Sequence, residues 1–323
     1  MKKILVTGGL GFIGHNVVSK LEDLGHDVLI IDNMTNYGII PEDEINYLYG
    51  ERSKKIYSVC HPYDIENRIP IDRTFDSFNP DIVIHLASFP RQKVVNSNPS
   101  FGARVMIEGL LNLCEASKRN NVEKFVYVSS SMVYGDFADD VTEDAECKPQ
   151  GMYGIMKLAG EELVKDYHDR GAFDYTVIRP SAVYGPCDVE DRVVSKFLLA
   201  ALRDETIMVN GPRETLDFSH VDDVADGIVA ATLSQDTANK CYNVTRGASR
   251  TLLEAAELAV KIAGKGTIQV RDRDLAFPSR GKLNIDAARR DFNFDPKIDI
   301  EEGFQAYYEW LHNSTLWSKK TIL

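Results

Sequence analysis

Cysteine is sparse and unpatterned in this sequence. Cys60, Cys114, Cys147, Cys187 and Cys241 are odd in number, scattered and without C-x-x-C spacing, so neither a disulfide framework nor a zinc site is expected. A reducing cytoplasm suits such a chain. Long apolar runs are also missing. No stretch approaches the roughly 20 residues of a membrane span, and the apolar residues after Lys2 and Lys3 are soon broken by Gly8, Gly9 and Gly11, with no small-residue cleavage site behind them. A targeting segment and a membrane partner are therefore not expected. Positive charge is in deficit: 37 Lys and Arg stand against 49 Asp and Glu, a net charge of -12 at pH 7. A nucleic-acid or anionic-membrane surface needs a basic face, which argues against both. Internal repeats and low-complexity tracts are absent from the sequence as well.

What is present is a chain of 323 residues, 44% of them hydrophobic, enough for a nucleotide-binding lobe with a second lobe attached. Residues 7–14 read T-G-G-L-G-F-I-G. A short apolar strand over 2–6 leads into them, and Ile13, Val17, Leu21 and Leu24 then recur at helical spacing. Gly8, Gly11 and Gly14 remove side chains that would hold a pyrophosphate away from the N–H groups at the helix start, where Phe12 and Ile13 complete the turn. The next strand, 26–31, ends in Asp32 and Asn33. A carboxylate at that point accepts from a ribose 2′-OH and repels a 2′-phosphate. No Arg or Lys stands in 33–38, so NAD is expected over NADP. The plain alternative is three turn glycines and a solvated aspartate.

Further strands are expected at 55–59, 81–86, 124–128 and 173–178, and a long helix at 101–118. Asp64 and Ile65 fall where a chain returning to the sheet meets an adenine ring, although Asp64 equally suits a helix cap. Leu86, Ala87 and Ser88 close the 81–86 strand at the carboxyl edge, where ligands of parallel sheets collect. His85 is embedded in apolar strand residues and reads as a core histidine. After 124–128 come Ser129, Ser130, Ser131 and Met132, whose hydroxyls alone fit a turn.

Tyr153 and Lys157 are four apart and share a helix face. A free phenol has a pKa of about 10, and lowering it by two to three units takes about 3 to 4 kcal/mol. An exposed ion pair supplies about 1 kcal/mol or less, so Lys157 is expected to lower the phenol's pKa from a desolvated site. A solvent-facing Tyr and Lys is the plain alternative. The composition changes near Pro180, where a lobe boundary is placed. Beyond it, helices are expected at 192–203, 221–233, 251–263 and 300–311, a short strand at 206–209, and a strand at 241–244 that rejoins the main sheet.

Taken in order, T-G-G-L-G-F-I-G, H-L-A, S-S-S-M-V-Y-G, Tyr153 with Lys157, R-P-S-A-V-Y-G-P and H-V-D-D-V-A resemble the extended short-chain dehydrogenase/reductases, in the branch of nucleotide-sugar epimerases and dehydratases typified by UDP-glucose 4-epimerase. The resemblance spans nearly the whole chain. It implies a Rossmann-type α/β fold: a doubly wound parallel sheet over 1–180 holding NAD, with 221–245 returning to it, and a smaller α/β substrate lobe mainly over 181–323. It implies Tyr153 as base, Lys157 orienting the nicotinamide ribose and Ser130 on the reacting oxygen. Ser129, Pro180 and Val183 are expected near the cofactor, and Arg91, Ser131, Met132, Arg192, Arg213 and Arg280 near a nucleotide-diphosphate sugar. Epimerisation at C4 through a transient ketose is the expected reaction; a net dehydrogenase releasing the 4-keto sugar and a non-catalytic NAD sensor are the alternatives. A homodimer is implied through the helices at 101–118 and 153–167. Several positions depart from the family pattern. Ser131-Met132 replaces the Asp-Glu pair of the dehydratases, Leu216 stands where a diphosphate-gripping arginine is frequent, and Met106 and Ala182 stand where asparagines are frequent.

Overall fold

The computed structural model describes residues 1–35, 40–89, 92–189, 191–275 and 277–317. Six strands, β1 (Lys3–Thr7), β2 (Asp27–Ile31), β3 (Val59–His61), β4 (Ile82–His85), β5 (Lys124–Val128) and β6 (Asp174–Arg179), join the strand Lys240–Asn243 in one sheet. From the Lys240–Asn243 edge the order is β6, β5, β4, β1, β2, β3, and every pairing is parallel. The order reverses between β1 and β4, so a crevice opens at their carboxyl ends, where Thr7 is in register with His85.

Alternation along the strands divides the interior. Ile4 and Val6 face one layer with helix α1 (Gly14–Asp23) and the helix Val221–Leu233, while Leu5, Val83 and Phe125 face the layer of Arg68–Phe78, Gly109–Arg119 and Met152–Asp169. A separate core gathers Phe197, Leu198, Val209, Phe304, Tyr307 and Trp317. The helix Glu42–Arg52, though it follows β2, sends Leu48 into that separate core and packs Tyr47 at a tilt against Trp310 and edge-on against Trp317. The segment after β2 thus fastens the parallel sheet to the carboxyl-terminal core.

Several local expectations need correction. The strand expected at 55–59 is Val59–His61, preceded by a 3-10 turn at Ser53–Lys55. The helix expected at 101–118 is interrupted: α-helical Pro99–Ala103 and Gly109–Arg119 flank a π-helical turn, Arg104–Glu108, a distortion that periodicity does not reveal. The strand Thr267–Arg271, parallel to Thr206–Asn210, is a further element, and its alternate residues are mostly exposed, which removes the usual apolar signal.

Gly160 sets how closely the helix Met152–Asp169 approaches β5, because a Cβ there would overlap the buried Tyr127 hydroxyl and crowd Leu110. Gly160→Ala is expected to lower stability by about 1–3 kcal/mol through overpacking, measured as a reduced urea midpoint at unchanged slope; an unchanged midpoint would show that the helix has room to shift.

Candidate active site

The glycine-rich turn leaves β1 at Thr7 and enters α1 at Gly14. Gly8 adopts φ +72°, and a Cβ on it would lie 2.7 Å from the Ala87 amide nitrogen. A Cβ on Gly14 would overlap the Gly8 carbonyl oxygen. These contacts bring the turn against the end of β4, with Leu86 donating its N–H to the Thr7 carbonyl at 3.0 Å. The first turn of α1 has no side-chain cap and no acidic residue. Its amide groups therefore face the crevice as anion donors, with Phe12 and Ile13 half-buried beside them.

Asp32, just past β2, accepts hydrogen bonds from the Leu10 and Met34 backbone N–H groups, each at 2.9 Å. Burial raises its pKa, and those bonds and Arg52 oppose the rise. Asn33 donates to Asp64 at 2.9 Å, and Asp64 accepts from the Glu66 N–H, so Asp64 serves a turn beside the crevice. Ile65 is buried beneath Gly109. The Ser88 hydroxyl is buried without a hydrogen-bond partner among the described residues. An orphaned hydroxyl next to an uncapped glycine turn fits a polar dinucleotide lying across the two.

Helix Met152–Asp169 carries the second half of the site. Lys157 is 4% exposed, and its Nζ donates to the Val128 carbonyl at 2.8 Å, at the end of β5. The same Nζ lies 5.9 Å from the Tyr153 ring centroid. Burial pushes the lysine down to about 8, with Glu161 opposing. Ser130 opens the 3-10 turn Ser131–Val133, and its hydroxyl accepts from the Met132 N–H at 3.2 Å. The same hydroxyl lies beside the Tyr153 phenol and favours its anion. Burial raises the phenol's pKa, and Arg192 and the neighbouring Ser130 hydroxyl oppose that rise. The Lys157 ammonium bonds Val128, and Arg192 is a further cation acting on the phenol that the sequence did not point to.

The other expected residues are distributed unevenly. Ser129 is buried and donates to Glu161 at 2.5 Å, behind the crevice. Ser131 is 1% exposed and donates to Ser181, so its hydroxyl points inward. Pro180 accepts from the Ser131 N–H through its carbonyl, and Val183 lies in a short strand paired with Ser219–His220. Ala182 holds φ +37°, a left-handed conformation that asparagine tolerates better than alanine. The Arg280 guanidinium contacts the Met132 sulfur at 3.8 Å, while its Nε is buried without a hydrogen-bond partner among the described residues. Arg213 is exposed and lines a separate 540 Å³ cavity with Arg271 and Arg273, two cations the sequence reading passed over. Leu216 is buried beside Phe218, and Met106 is buried in the π turn. Arg91 lies outside the described residues.

Sequence reading also missed Arg52. It is buried, donating twice to the Cys187 carbonyl, at 3.1 and 2.8 Å, and once to the Leu10 carbonyl at 3.4 Å. It therefore ties the glycine turn to the loop that leads to Arg192, whose Nε is 3.9 Å from the buried Asp188. No motif marks Arg52; its role depends on the packing of Glu42–Arg52 against the other core.

The family model described as the NAD dependent epimerase/dehydratase family matches residues 4–245. The chain belongs to that family. Among curated relatives, UDP-glucuronate 4-epimerase of Thermodesulfobacterium geofontis is 28% identical over 315 residues, covering 95% of each chain. Two solved structures span nearly the full length. One is the Bacillus cereus UDP-glucuronic acid 4-epimerase in complex with UDP-glucuronic acid and NAD (TM-score 0.88, 26% identity, 95% of this chain and 98% of that one). The other is the Thermotoga maritima UDP-glucose 4-epimerase with UDP-glucose (TM-score 0.86, 27% identity, 99% and 100%). This epimerase/dehydratase is therefore an NAD enzyme of the extended short-chain type. Among its described residues no helix is long and apolar enough to cross a membrane.

His85 is 2% exposed, with its Nδ1 2.7 Å from the Thr7 hydroxyl beneath the glycine turn, and burial pushes it down to about 3. Its folded pKa is below the unfolded value, so the unfolded state binds the extra proton and stability is lost as pH falls below about 6.5. Urea unfolding between pH 6.5 and 4 is expected to show that loss, and His85→Gln to remove up to about 1.4 kcal/mol per pH unit of it. Equal slopes in the two proteins would contradict the assignment.

Proposed function

We propose that this enzyme is an NAD-dependent epimerase of a nucleotide-diphosphate sugar, inverting C4 through a transient keto sugar. The observation that supports the reading is the set of strand ends that carries an uncapped glycine turn, the buried carboxylate of Asp32 and a tyrosine beside the Ser130 hydroxyl. Gly8, Gly11, Gly14, Asp32 and Ser88 would hold NAD, which when bound supplies reversible hydride acceptance at the sugar carbon. Tyr153 takes the proton of the sugar hydroxyl and later returns it, while Ser130 holds the reacting oxygen. Burial disfavours the phenolate, and Arg192 is the positive charge that opposes this, while Lys157 holds the helix that carries the phenol.

Arg280, with its unpartnered Nε, and the exposed Arg213 are the groups suited to a diphosphate, in place of the arginine replaced by Leu216; Arg273, in the same cavity as Arg213, is already paired with Glu214. Ser131 is turned inward and Met132 is apolar, so the acid pair that dehydration employs is missing here. A homodimer is proposed through the Met152–Asp169 and Gly109–Arg119 helices. The 46% exposure of Ile155 and 36% exposure of Met152 support that face, and light scattering at twice the 36.2 kDa chain mass would match it.

The enzyme should be incubated with UDP-, dTDP- and GDP-sugars, including UDP-glucose and UDP-glucuronate, and products resolved by NMR. The expected result is a C4-inverted sugar without net accumulation of reduced nicotinamide. Tyr153→Phe is expected to lower kcat by about 10²- to 10⁴-fold. Stoichiometric keto sugar with reduced nicotinamide would instead make it a dehydrogenase, and unchanged turnover in Tyr153→Phe would remove the phenol from the reaction.

A further inference from the structure

Glu161 lies one helical turn beyond Lys157 and two beyond Tyr153, on the same helix face. It is fully buried. Its Oε1 accepts from the Ser129 hydroxyl at 2.5 Å and from Arg179 Nε at 3.0 Å, and its Oε2 accepts from Arg179 Nη2 at 2.6 Å. Ser129 immediately precedes Ser130, and Arg179 immediately precedes Pro180. Arg179 is occupied on its far side, where Nη1 donates to the Tyr134 hydroxyl at 2.8 Å and to the Glu143 carbonyl at 3.1 Å. Tyr134 in turn donates to Asn243 at 2.8 Å, on the strand next to β6.

We propose that Glu161 is a positioning residue whose carboxylate fixes the helix bearing Tyr153 and Lys157 in register with the strand ends bearing Ser130 and Pro180. The inference rests on the proton-transfer role proposed for that helix. A buried ion pair is a poor source of stability, since apolar residues of similar volume serve as well. What this pair provides is a directional link: Oε1 bridges Ser129 and Arg179 at the ends of adjacent strands while Oε2 holds Arg179 a second time, and moving the helix along its axis would break these bonds.

The same carboxylate acts on Lys157. The groups facing that ammonium are the Val128 carbonyl and the Tyr127 ring of β5, His85 of β4, and Tyr153 and Glu161 of its own helix. Of these, Glu161 is the group that carries negative charge and opposes the lysine's loss of its proton. Glu161 itself is faced by Ser129, Arg179, Tyr127, Cys147 and Cys241, and by Lys157 and Lys165 of its own helix. Losing its charge would let Lys157 deprotonate at lower pH.

Two variants test this. Ser129→Ala removes one bond and no charge. Glu161→Gln/Arg179→Met removes both charges together, so no buried arginine is left unpaired. Ser129→Ala is expected to lower kcat about tenfold with KM within about twofold, the mark of a contact that acts in the transition state. The double variant is expected to lose more, and the alkaline limb of its kcat profile to move down by about one pH unit. In the NAD-free protein, amide exchange across 128–131 should accelerate in both variants. A folded double variant with the wild-type alkaline limb and wild-type exchange would overturn the proposal. If the double variant does not fold, Ser129→Ala with wild-type kcat and exchange overturns it alone. Exchange in the NAD-free protein does not depend on the reaction, and activity surviving Tyr153→Phe would sink the reaction reading instead.

Discussion

An ammonium buried at the end of a strand is the interaction on which the crevice depends. Lys157 lies almost entirely out of water and donates to the Val128 carbonyl. Its displacement from an ordinary lysine value to about 8 corresponds to a desolvation cost on the order of 3 kcal/mol. That cost is tolerated because the geometry it enforces is useful: the helix cannot slide or rotate without stranding a charge. Tyr153, one turn earlier, is thereby held beside Ser130, and Glu161, one turn later, fastens the opposite end. The chemistry assigned to the site is a consequence of a helix locked to a strand end.

The fold places the remaining parts around that lock. Reversal of strand order between β1 and β4 opens the crevice, and the glycine turn is pressed against Ala87 so closely that side chains are excluded. The carboxyl-terminal core reaches the same edge through the loop from Val183 to Arg192. Arg52 connects the two by bonding one carbonyl in the glycine turn and one in that loop. Opposite charges therefore alternate from Asp32 through Arg52 and Asp188 to Arg192, and Arg192 is the cation that acts on the phenol. The two ends of the cofactor crevice are electrostatically connected through the protein.

Much of this was legible from the sequence, for identifiable reasons. Buried parallel strands read as apolar runs, so β1, β2, β4, β5 and β6 were found within a few residues, and glycines at a crowded turn leave a fixed spacing. His85 was read as a core residue because its neighbours are apolar, and it is buried against Thr7. Illegible features were those whose cause is tertiary. The π turn at Arg104–Glu108 leaves the apolar period nearly unchanged. The sign of the Tyr153 shift depends on how deeply the ring is buried, which i to i+4 spacing does not specify. Arg52 is an arginine without a motif, Arg179 opens the R-P-S-A-V-Y-G-P stretch without any sign of its partner there, and only packing assigns partners to either. Glu161 is the intermediate case, since Tyr153, Lys157 and Glu161 recur every four residues, but a helix-face pattern alone does not distinguish a solvated carboxylate from a buried one.

The central claim is that the locked helix presents its phenol to a sugar hydroxyl beside the nicotinamide. A crystal structure of the enzyme with NAD and a bound nucleotide sugar tests it most directly. The account predicts the Tyr153 oxygen within about 2.6–3.2 Å of the sugar oxygen at the reacting carbon, with Lys157 still on the Val128 carbonyl. A phenol farther than one bridging water from that oxygen, with the nicotinamide on another side of the sugar, would contradict it.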